Sequence, residues 1–427
     1  MSAPSRTDRR WLFAVCVARV GSAAPFQAYA GALPFLRSEW DMSGTEAGTL
    51  AFVWQAAFAT SLVVLSSLAD RLGAGRLFVW STWATVAGTA LVPLLAQGYW
   101  SGLALFSVLA LVNGGAYIPG VMLLASRFPP ARRGHAIGWF LGASSLGYGL
   151  ALLLIGALAS AVGWRGGLLA IAGFAAASAA IALPVVRSGA PHPEREAAPS
   201  ARSKHPRPKG FVRGFLGNRG AVLITVGYTA HAWELLGLWA WAPAFLAAAL
   251  VTGGNGSVGA TGLGVGLAAA FHLVGLAAGG FGGWLSDRWG RTAVILSMLV
   301  VSGACSFSFG WLIGAPVAVL LVVAVVYGFA AVGDSSVFST GLTELVDPAV
   351  LGRSFAFRSF LGFGAGALAS LVFGVVLDVT NPAAGSAEPA FWGWGFATLG
   401  LGAVAGIVAT GWLRALPQSR QMAEGKR

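Results

Sequence analysis

Long apolar segments separated by short polar breaks are the feature that most constrains this chain. A helix that crosses a bilayer needs about 20 mainly apolar residues, and the sequence divides into about twelve segments of that kind. We place them at 11–36, 45–66, 77–97, 101–125, 134–161, 165–187, 218–249, 258–282, 292–313, 316–342, 352–377 and 391–413. Charged residues make up only 10% of the chain, against about 25% in soluble domains. The sequence therefore predicts an all-α membrane protein.

The positive charge is concentrated in alternate breaks between these segments. The net charge is +12, and 23 of the 27 Lys and Arg residues fall on one side of the membrane if the N-terminus is cytoplasmic. This is the positive-inside distribution. It predicts a multi-pass protein of the inner (plasma) membrane with both termini in the cytoplasm, and a first span that is kept as an anchor. The lipid bilayer accounts for the charge, so we expect no nucleic-acid partner.

A polar segment near the middle divides the chain. Residues 188–215 are rich in proline and charge, which predicts a flexible cytoplasmic linker because such a segment has little apolar surface to bury. Residues 1–187 and 216–427 then form an N-terminal and a C-terminal bundle, each with six predicted spans.

The two halves repeat one another in sequence. Asp70 and Asp287 are 217 positions apart, and Gly134 and Gly352 are 218 positions apart. A duplicated six-span unit is typical of secondary transporters, which bind their substrate between the repeats near the middle of the membrane.

A charged motif follows the second predicted span and returns after the eighth. It reads SSLADRLGAGR from Ser66 to Arg76 and GGWLSDRWGR from Gly282 to Arg291. With the repeated halves, it resembles the major facilitator superfamily, whose signature after the second span is G-x-L-x-D-R-x-G-R-[RK]. The second copy is nearly intact, whereas Ser66 replaces the leading glycine of the first and two inserted residues, Ala74-Gly75, lengthen its turn.

The resemblance covers essentially the whole chain. It implies two pseudo-symmetric six-helix bundles (the MFS fold) that transport a solute by alternating access. Within the superfamily, the seventh-span stretch YTAHAWELLGLWAWAPAFL is similar to the cyanate/nitrate-type and organic-anion porters, although the glycine-rich nitrate signature is missing.

The charged motif predicts a gating latch. Its glycines, Gly73 and Gly290, allow a tight reversal because glycine tolerates positive φ. The resemblance implies that Asp70 approaches the start of the eleventh span and Asp287 that of the fifth, where a helix N-terminus attracts a carboxylate. The alternative is a loop that only follows the positive-inside bias. The predicted latch residues are Asp70, Arg71, Gly73, Asp287, Arg288, Gly290 and Arg291.

Ionisable residues inside the predicted spans are candidates for the transport site, because charge in a membrane is costly and usually faces a cavity. They are Arg19, His231, Glu234, His272, Asp334 and Arg358. All six fall on spans that, by the resemblance, line the cavity.

Neighbouring polar and aromatic residues extend this set by helical spacing or by the repeat. The predicted substrate-binding residues are Arg19, Phe26, Tyr29, Gln55, Asn113, Tyr117, Tyr228, His231, His272 and Arg358, and the predicted proton-coupling residues are Glu234 and Asp334. Three alternatives stay open: the arginines extend to the membrane interface, the histidines only join helices, and the carboxylates form structural pairs with the arginines.

The charges of these groups suggest a mechanism. Two arginines and two carboxylates cancel, and a site of low polarity favours the neutral form of a carboxyl group. A proton on Glu234 or Asp334 leaves a positive cavity, which predicts symport of a proton with a small anion. The alternative is proton-coupled efflux of drugs or metabolites, although the fifth span lacks the proline of the antiporter pattern.

Other classes of function find less support. No HExxH, GxSxG or GK[ST] motif is present, so we expect no enzyme, no catalytic residues, no metal and no cofactor. A transporter-like sensor is a remote alternative, because the longest cytoplasmic segment is the predicted linker. We expect a monomer.

Overall fold

The protein is almost entirely helical, as the composition predicts. The computed structural model describes residues 6–188, 215–253, 258–347, 350–382 and 391–419, and contains no strand within those ranges. Eleven helices in this part of the chain are long and apolar enough to cross a membrane. One of them, Arg132–Arg187, has 56 residues and holds two spans, because Gly163 leaves the helical conformation at φ 68° and ψ 176°. The chain is therefore an all-α, multi-pass membrane protein whose described helices make twelve spans.

The spans are numbered in chain order, and several consist of two helices. Span 1 is Arg6–Ala23 and Ala28–Glu39, span 2 is Gly44–Leu72, span 3 is Ala74–Leu95, span 4 is Tyr99–Asn113 and Ile118–Arg127, spans 5 and 6 are Pro130–Ser188 divided at Gly163, span 7 is Arg219–Thr252, span 8 is Val258–Leu267 and Ala269–Trp289, span 9 is Arg291–Phe309, span 10 is Val317–Gly333 and Ser335–Leu345, span 11 is Leu351–Thr380, and span 12 is Gly393–Ala415.

The helices that carry the charged motif are longer than the predicted spans. Span 2 continues to Leu72 and span 8 to Trp289, so the Asp-Arg pair of each motif lies in the last helical turn and not in the connection. An arginine at a helix C-terminus interacts favourably with the partial negative charge there. Each reversal needs only one non-helical residue, Gly73 or Gly290, and both have φ of 88°.

The chain forms two compact units. The first comprises the described residues of Met1–Ala32 and Ala57–Lys204, and the second those of Leu33–Ala56 and His205–Arg427. The core of the first includes Trp11, Phe78 and Phe140, and that of the second includes Ile295 and Phe338. Residues 189–214 of the predicted linker lie outside the described ranges, and the linker and the six-span halves stay predictions.

Four spans are interrupted near candidate residues. Span 1 has a 3₁₀ turn at Ala24–Gln27, and span 4 has one at Gly114–Ala116. Span 8 breaks at Ala268, four residues before His272, and span 10 breaks at Asp334 itself. Interrupted helices are common at the binding sites of transporters, because the break frees backbone groups for a ligand.

Candidate functional site

Arg19 is the most deeply buried charge among the described residues of the first unit. It is 1% exposed, and its Nε donates a hydrogen bond of 2.7 Å to Oγ of Ser144 on span 5. Its Cζ lies 5.1 Å from the ring centre of Tyr117 and 5.3 Å from that of Phe140. No described carboxylate forms an ion pair with it, and its buried Nη1 has no hydrogen-bond partner among the described residues. Arg19 therefore has donors to spare for a ligand.

Close packing of span 5 on span 1 produces this arrangement. A Cβ on Gly147 would lie 2.3 Å from the carbonyl oxygen of Val20, so only glycine lets the two helices approach so closely. That approach brings Ser144, three residues earlier, against Arg19. The glycine content of span 5 thus has a packing function at this position.

Aromatic rings enclose the region beside Arg19. Tyr148 interacts electrostatically with the guanidinium, and its ring centre lies 5.1 Å from that of Phe26. Phe26 in turn meets Phe58 edge to face at 5.0 Å. Sequence reasoning identified Phe26 and Tyr117 but missed Phe58, Phe140, Ser144 and Tyr148, whose contacts depend on how spans 2 and 5 pack against span 1.

Asn113 and Tyr29 are two further candidates in the first unit. The side chain of Asn113 donates a hydrogen bond of 2.7 Å to the carbonyl oxygen of Ser22, so it joins span 4 to span 1 just before the break in each. Tyr29 is 2% exposed and lies in the second helix of span 1.

In the second unit, His231 and Asp334 form a buried pair. Nδ1 of His231 lies 3.0 Å from Oδ1 of Asp334, and the two side chains are 2% and 1% exposed. The other ring nitrogen, Nε2, lies 2.9 Å from Oγ of Ser335. The imidazole is thus held between a carboxylate and a hydroxyl at the break in span 10.

Arg358 lies beside this pair. Both of its terminal nitrogens donate to Oγ of Ser339 at 3.2 Å, and its Cζ lies 3.9 Å from the ring centre of Tyr228. The ring centres of Tyr228 and His231 are 5.7 Å apart. Arg358, Tyr228, His231 and Asp334, four candidates from three spans, therefore form one cluster, which we call the His231 cluster.

Glu234 accepts hydrogen bonds from a different set of residues. Ser302 and Ser306 of span 9 donate hydrogen bonds of 3.0 and 2.7 Å to its two carboxylate oxygens, and Ser306 also hydrogen-bonds the hydroxyl of Tyr327. By the resemblance, span 9 belongs to the outer scaffold. Glu234 follows His231 by three residues, and although their hydrogen-bond partners differ, Glu234 interacts electrostatically with both His231 and Asp334. The only sequence signal for this network was the spacing of four between Ser302 and Ser306.

Two of the alternative interpretations concern the exposure of the arginines and the partners of the two carboxylates. Arg19 and Arg358 are 1% and 5% exposed, so both side chains are buried. Asp334 pairs with His231, and Glu234 with serines. None of the ion pairs between described residues joins either carboxylate to an arginine.

Gln55 and His272 hold equivalent places in the repeat but have different neighbours. Gln55 donates a hydrogen bond of 2.9 Å to Oγ of Ser370 on span 11. The ring centre of His272 lies 4.8 Å from that of Trp239 on span 7. Among the residues that the structure describes, no group of three His, Cys, Asp or Glu side chains is arranged to hold a metal ion.

In the second copy of the charged motif, the acidic residue pairs within the motif. Asp287 lies 2.7 Å from Arg291, which also pairs with Glu344 at 3.1 Å. Arg288 stacks on Trp284, with its Cζ 4.0 Å from the ring centre.

In the first copy, Arg71 is exposed at the end of its helix, and the side chain of Asp70 lies outside the described residues. The predicted approaches of Asp70 to the eleventh span and of Asp287 to the fifth stay predictions.

Comparison with known proteins agrees with the fold. The family described as the Major Facilitator Superfamily matches residues 15–258. A bacterial homologue of the human lysosomal transporter Spinster, solved in an inward-facing and unoccupied conformation, is 16% identical, with 98% of each chain covered and a TM-score of 0.74. The nucleoside transporter NupG is 12% identical, with 95% of this chain and 99% of that chain covered and a TM-score of 0.69. No curated protein matches at a significant level. At these identities, the likeness to the solved structures concerns the fold alone.

Proposed function

Because the chain belongs to the major facilitator superfamily, we propose that this secondary transporter moves a small anion by alternating access together with a proton. The substrate is an organic carboxylate or a small inorganic anion. The observation that carries the proposal is the burial of Arg19 without a carboxylate partner among the described residues.

A buried arginine with no carboxylate partner among the described residues calls for an anion. Removing an ion from water costs several kcal/mol unless other charges or hydrogen bonds offset it. The described neighbours of the Arg19 guanidinium are the Ser144 hydroxyl, Tyr148 and the faces of two aromatic rings, and none of these carries a negative charge. A guanidinium has five N–H donors in a planar fork. A carboxylate or oxoanion can accept two of them in parallel, which is the strongest geometry available to such a pair.

The His231 cluster supplies the proton-binding group. When Asp334 is ionised, its negative charge and the positive charge of Arg358 cancel in the sum over the cluster. A proton taken up by the Asp334 and His231 pair removes that compensation, so the protonated cluster favours an anion more than the unprotonated one. Binding of the two ligands is then mutually favourable, as symport requires.

The experiment is transport by purified protein in liposomes. Uptake of a panel of carboxylates and inorganic anions is measured with and without an inward proton gradient, beside a nucleoside, a cationic drug and a neutral drug. We expect at least one anion to accumulate, and to do so faster with the gradient. Export of a drug against the gradient, with indifference to every anion, would support the efflux alternative and overturn the proposal.

The proposal extends to the membrane, the topology and the oligomeric state of the protein. We propose that it works as a monomer in the inner membrane with both termini in the cytoplasm. Cysteine labelling of terminal tags in intact and in permeabilised cells tests the topology. Labelling of a terminal tag in intact cells by a reagent that cannot cross the membrane would contradict it.

A further inference from the structure

A cavity of about 830 Å³ opens in the first unit, away from Arg19. It lies where the turn between spans 2 and 3 meets the ends of spans 1, 4 and 6. Its lining includes Gly73 and Arg76 from that turn and Arg187 from the end of span 6. The proposed transport site uses none of its lining residues. We call it the Arg76 cavity.

The rim of the Arg76 cavity is positively charged. Arg76 and Arg187 both line it and are both exposed, and neither takes part in an ion pair between described residues. None of the described residues that line the cavity is acidic. Two guanidinium groups with no acidic residue among the described lining are suited to a phosphate, which can accept several N–H donors at once.

The wall of the cavity is apolar. It is formed by Trp11, Val79, Met122, Leu123 and Val186. The indole nitrogen of Trp11 donates a hydrogen bond of 3.2 Å to the carbonyl oxygen of Val186, so the polar atom of this side chain is already satisfied. The wall therefore offers a ligand hydrophobic contact.

The cavity lies at the depth of lipid headgroups. Arg76 is in the first turn of span 3 and Arg187 in the last turn of span 6, so both are where apolar helices leave the hydrocarbon. Trp80, one turn further along span 3, lines the cavity and is 56% exposed. Tryptophan is enriched at this level of a membrane because its ring is apolar and its N–H is polar.

We propose that the Arg76 cavity binds an anionic phospholipid of the surrounding leaflet. Its phosphate is held by Arg76 and Arg187, and the beginning of one acyl chain lies against Trp11, Met122 and Leu123. Charge selects the headgroup, and the apolar wall selects a lipid over a free phosphate, which gains nothing from hydrophobic contact. A lipid bound here joins the turn at Gly73 to the end of span 6.

Native mass spectrometry of the full-length protein in detergent tests the proposal. The protein is titrated with phosphatidylglycerol, with phosphatidylcholine of the same acyl chains, and with inorganic phosphate. We expect phosphatidylglycerol to bind in preference to phosphatidylcholine, and inorganic phosphate to compete poorly. The double variant Arg76→Gln with Arg187→Gln loses two charge-assisted contacts, and its affinity for phosphatidylglycerol falls about tenfold or more.

Two further variants control for net charge and for folding. Arg9→Gln with Arg10→Gln removes the same charge from exposed positions of span 1 that do not line the cavity, and it should bind phosphatidylglycerol as the wild type does. Arg76→Lys with Arg187→Lys keeps the charge and should keep the preference for the anionic lipid. Three results would overturn the proposal. They are an equal loss of affinity for phosphatidylglycerol in the two double glutamine variants, equal binding of phosphatidylcholine, and displacement of the lipid by inorganic phosphate at similar concentration.

Discussion

At the scale of single residues, the contrast between Arg19 and Glu234 separates a group that is available to a ligand from one that is already satisfied. Both side chains are 1% exposed. Glu234 receives hydroxyl donors on both oxygens, whereas Arg19 has a buried nitrogen with no described partner. The sequence revealed only that both charges are buried, and burial does not distinguish these cases. The hydrogen-bond partners of each side chain distinguish them.

Replacement of Arg19 tests its assignment to the anion. Arg19→Lys keeps the charge but loses the planar fork, and we expect the apparent affinity for the transported anion to fall about tenfold, while Arg19→Gln lowers it about a hundredfold or more. The measurement is concentration-dependent uptake into liposomes. Arg165→Gln serves as the control, because Arg165 binds the carbonyl oxygen of Ala96 and the Trp164 ring. Unchanged affinity in Arg19→Gln would remove Arg19 from the site.

Replacement of the two carboxylates separates coupling from structure. In Asp334→Asn the partner of His231 can no longer ionise, so we expect uptake to lose its dependence on the proton gradient. In Glu234→Gln the amide oxygen can still accept a hydrogen bond from Ser306, so we expect gradient-dependent uptake to be kept. Uptake with and without the gradient is measured for both variants. Gradient dependence that survives in Asp334→Asn contradicts the assignment, and its loss in Glu234→Gln moves coupling to the network of Ser302 and Ser306.

At the scale of helices, single residues determine where a span starts, turns or breaks. Gly290 has φ of 88° and ψ of 149°, a conformation that is essentially confined to glycine and costs a residue with a side chain about 1–3 kcal/mol. We therefore expect Gly290→Ala to lower the melting temperature in detergent. Gly280→Ala is the matched control, because Gly280 is helical and a Cβ there meets no atom within 4 Å. A melting temperature of Gly290→Ala that is no lower than that of Gly280→Ala would contradict the account of the turn.

The start of span 2 is capped by a residue distant in sequence. Asp378 of span 11 accepts hydrogen bonds of 2.6 and 2.7 Å from the backbone N–H groups of Gly44 and Thr45, and one of 2.6 Å from the Thr45 hydroxyl. A carboxylate at a helix N-terminus is stabilised by the partial positive charge there, and a hydrogen bond to a charged group contributes about 1.5–3 kcal/mol.

We expect Asp378→Asn to lower the melting temperature, and Thr45→Val, which removes one donor of the three, to lower it less. Thermal unfolding in detergent measures both effects. Equal melting temperatures for Asp378→Asn and the wild type would show that the cap adds no stability.

The same scale shows what the sequence predicts and what it does not. The spans follow from composition, because a bilayer demands long apolar helices whatever their contacts. The directions of His231 and Glu234 could not be predicted. Three residues rotate about 300° around a helix, so the two side chains point about 60° apart, and packing decides which meets Asp334 and which meets Ser302. The breaks at Ala24–Gln27 and at Asp334 were not predicted either. The sequence marks only the first of them, by Pro25.

At the scale of the whole molecule, the arginines have different structural environments. The positive-inside rule, from which we predicted the topology, counts all arginines alike. The structure separates Arg76 and Arg187, which line a cavity, from Arg127, which pairs with Asp8 at 3.1 Å and stacks on Trp11, and from the buried Arg19. Family membership agrees with the fold predicted from the repeated motif.

The turn at Gly163 has a consequence for biosynthesis. Spans 5 and 6 are separated by one non-helical residue within Pro130–Ser188, so no soluble loop exists on which the chain can pause between them. We therefore expect the two helices to enter the bilayer together as a hairpin. Span 5, whose Gly147 packs on span 1, need not then be hydrophobic enough to insert on its own, because span 6 accompanies it.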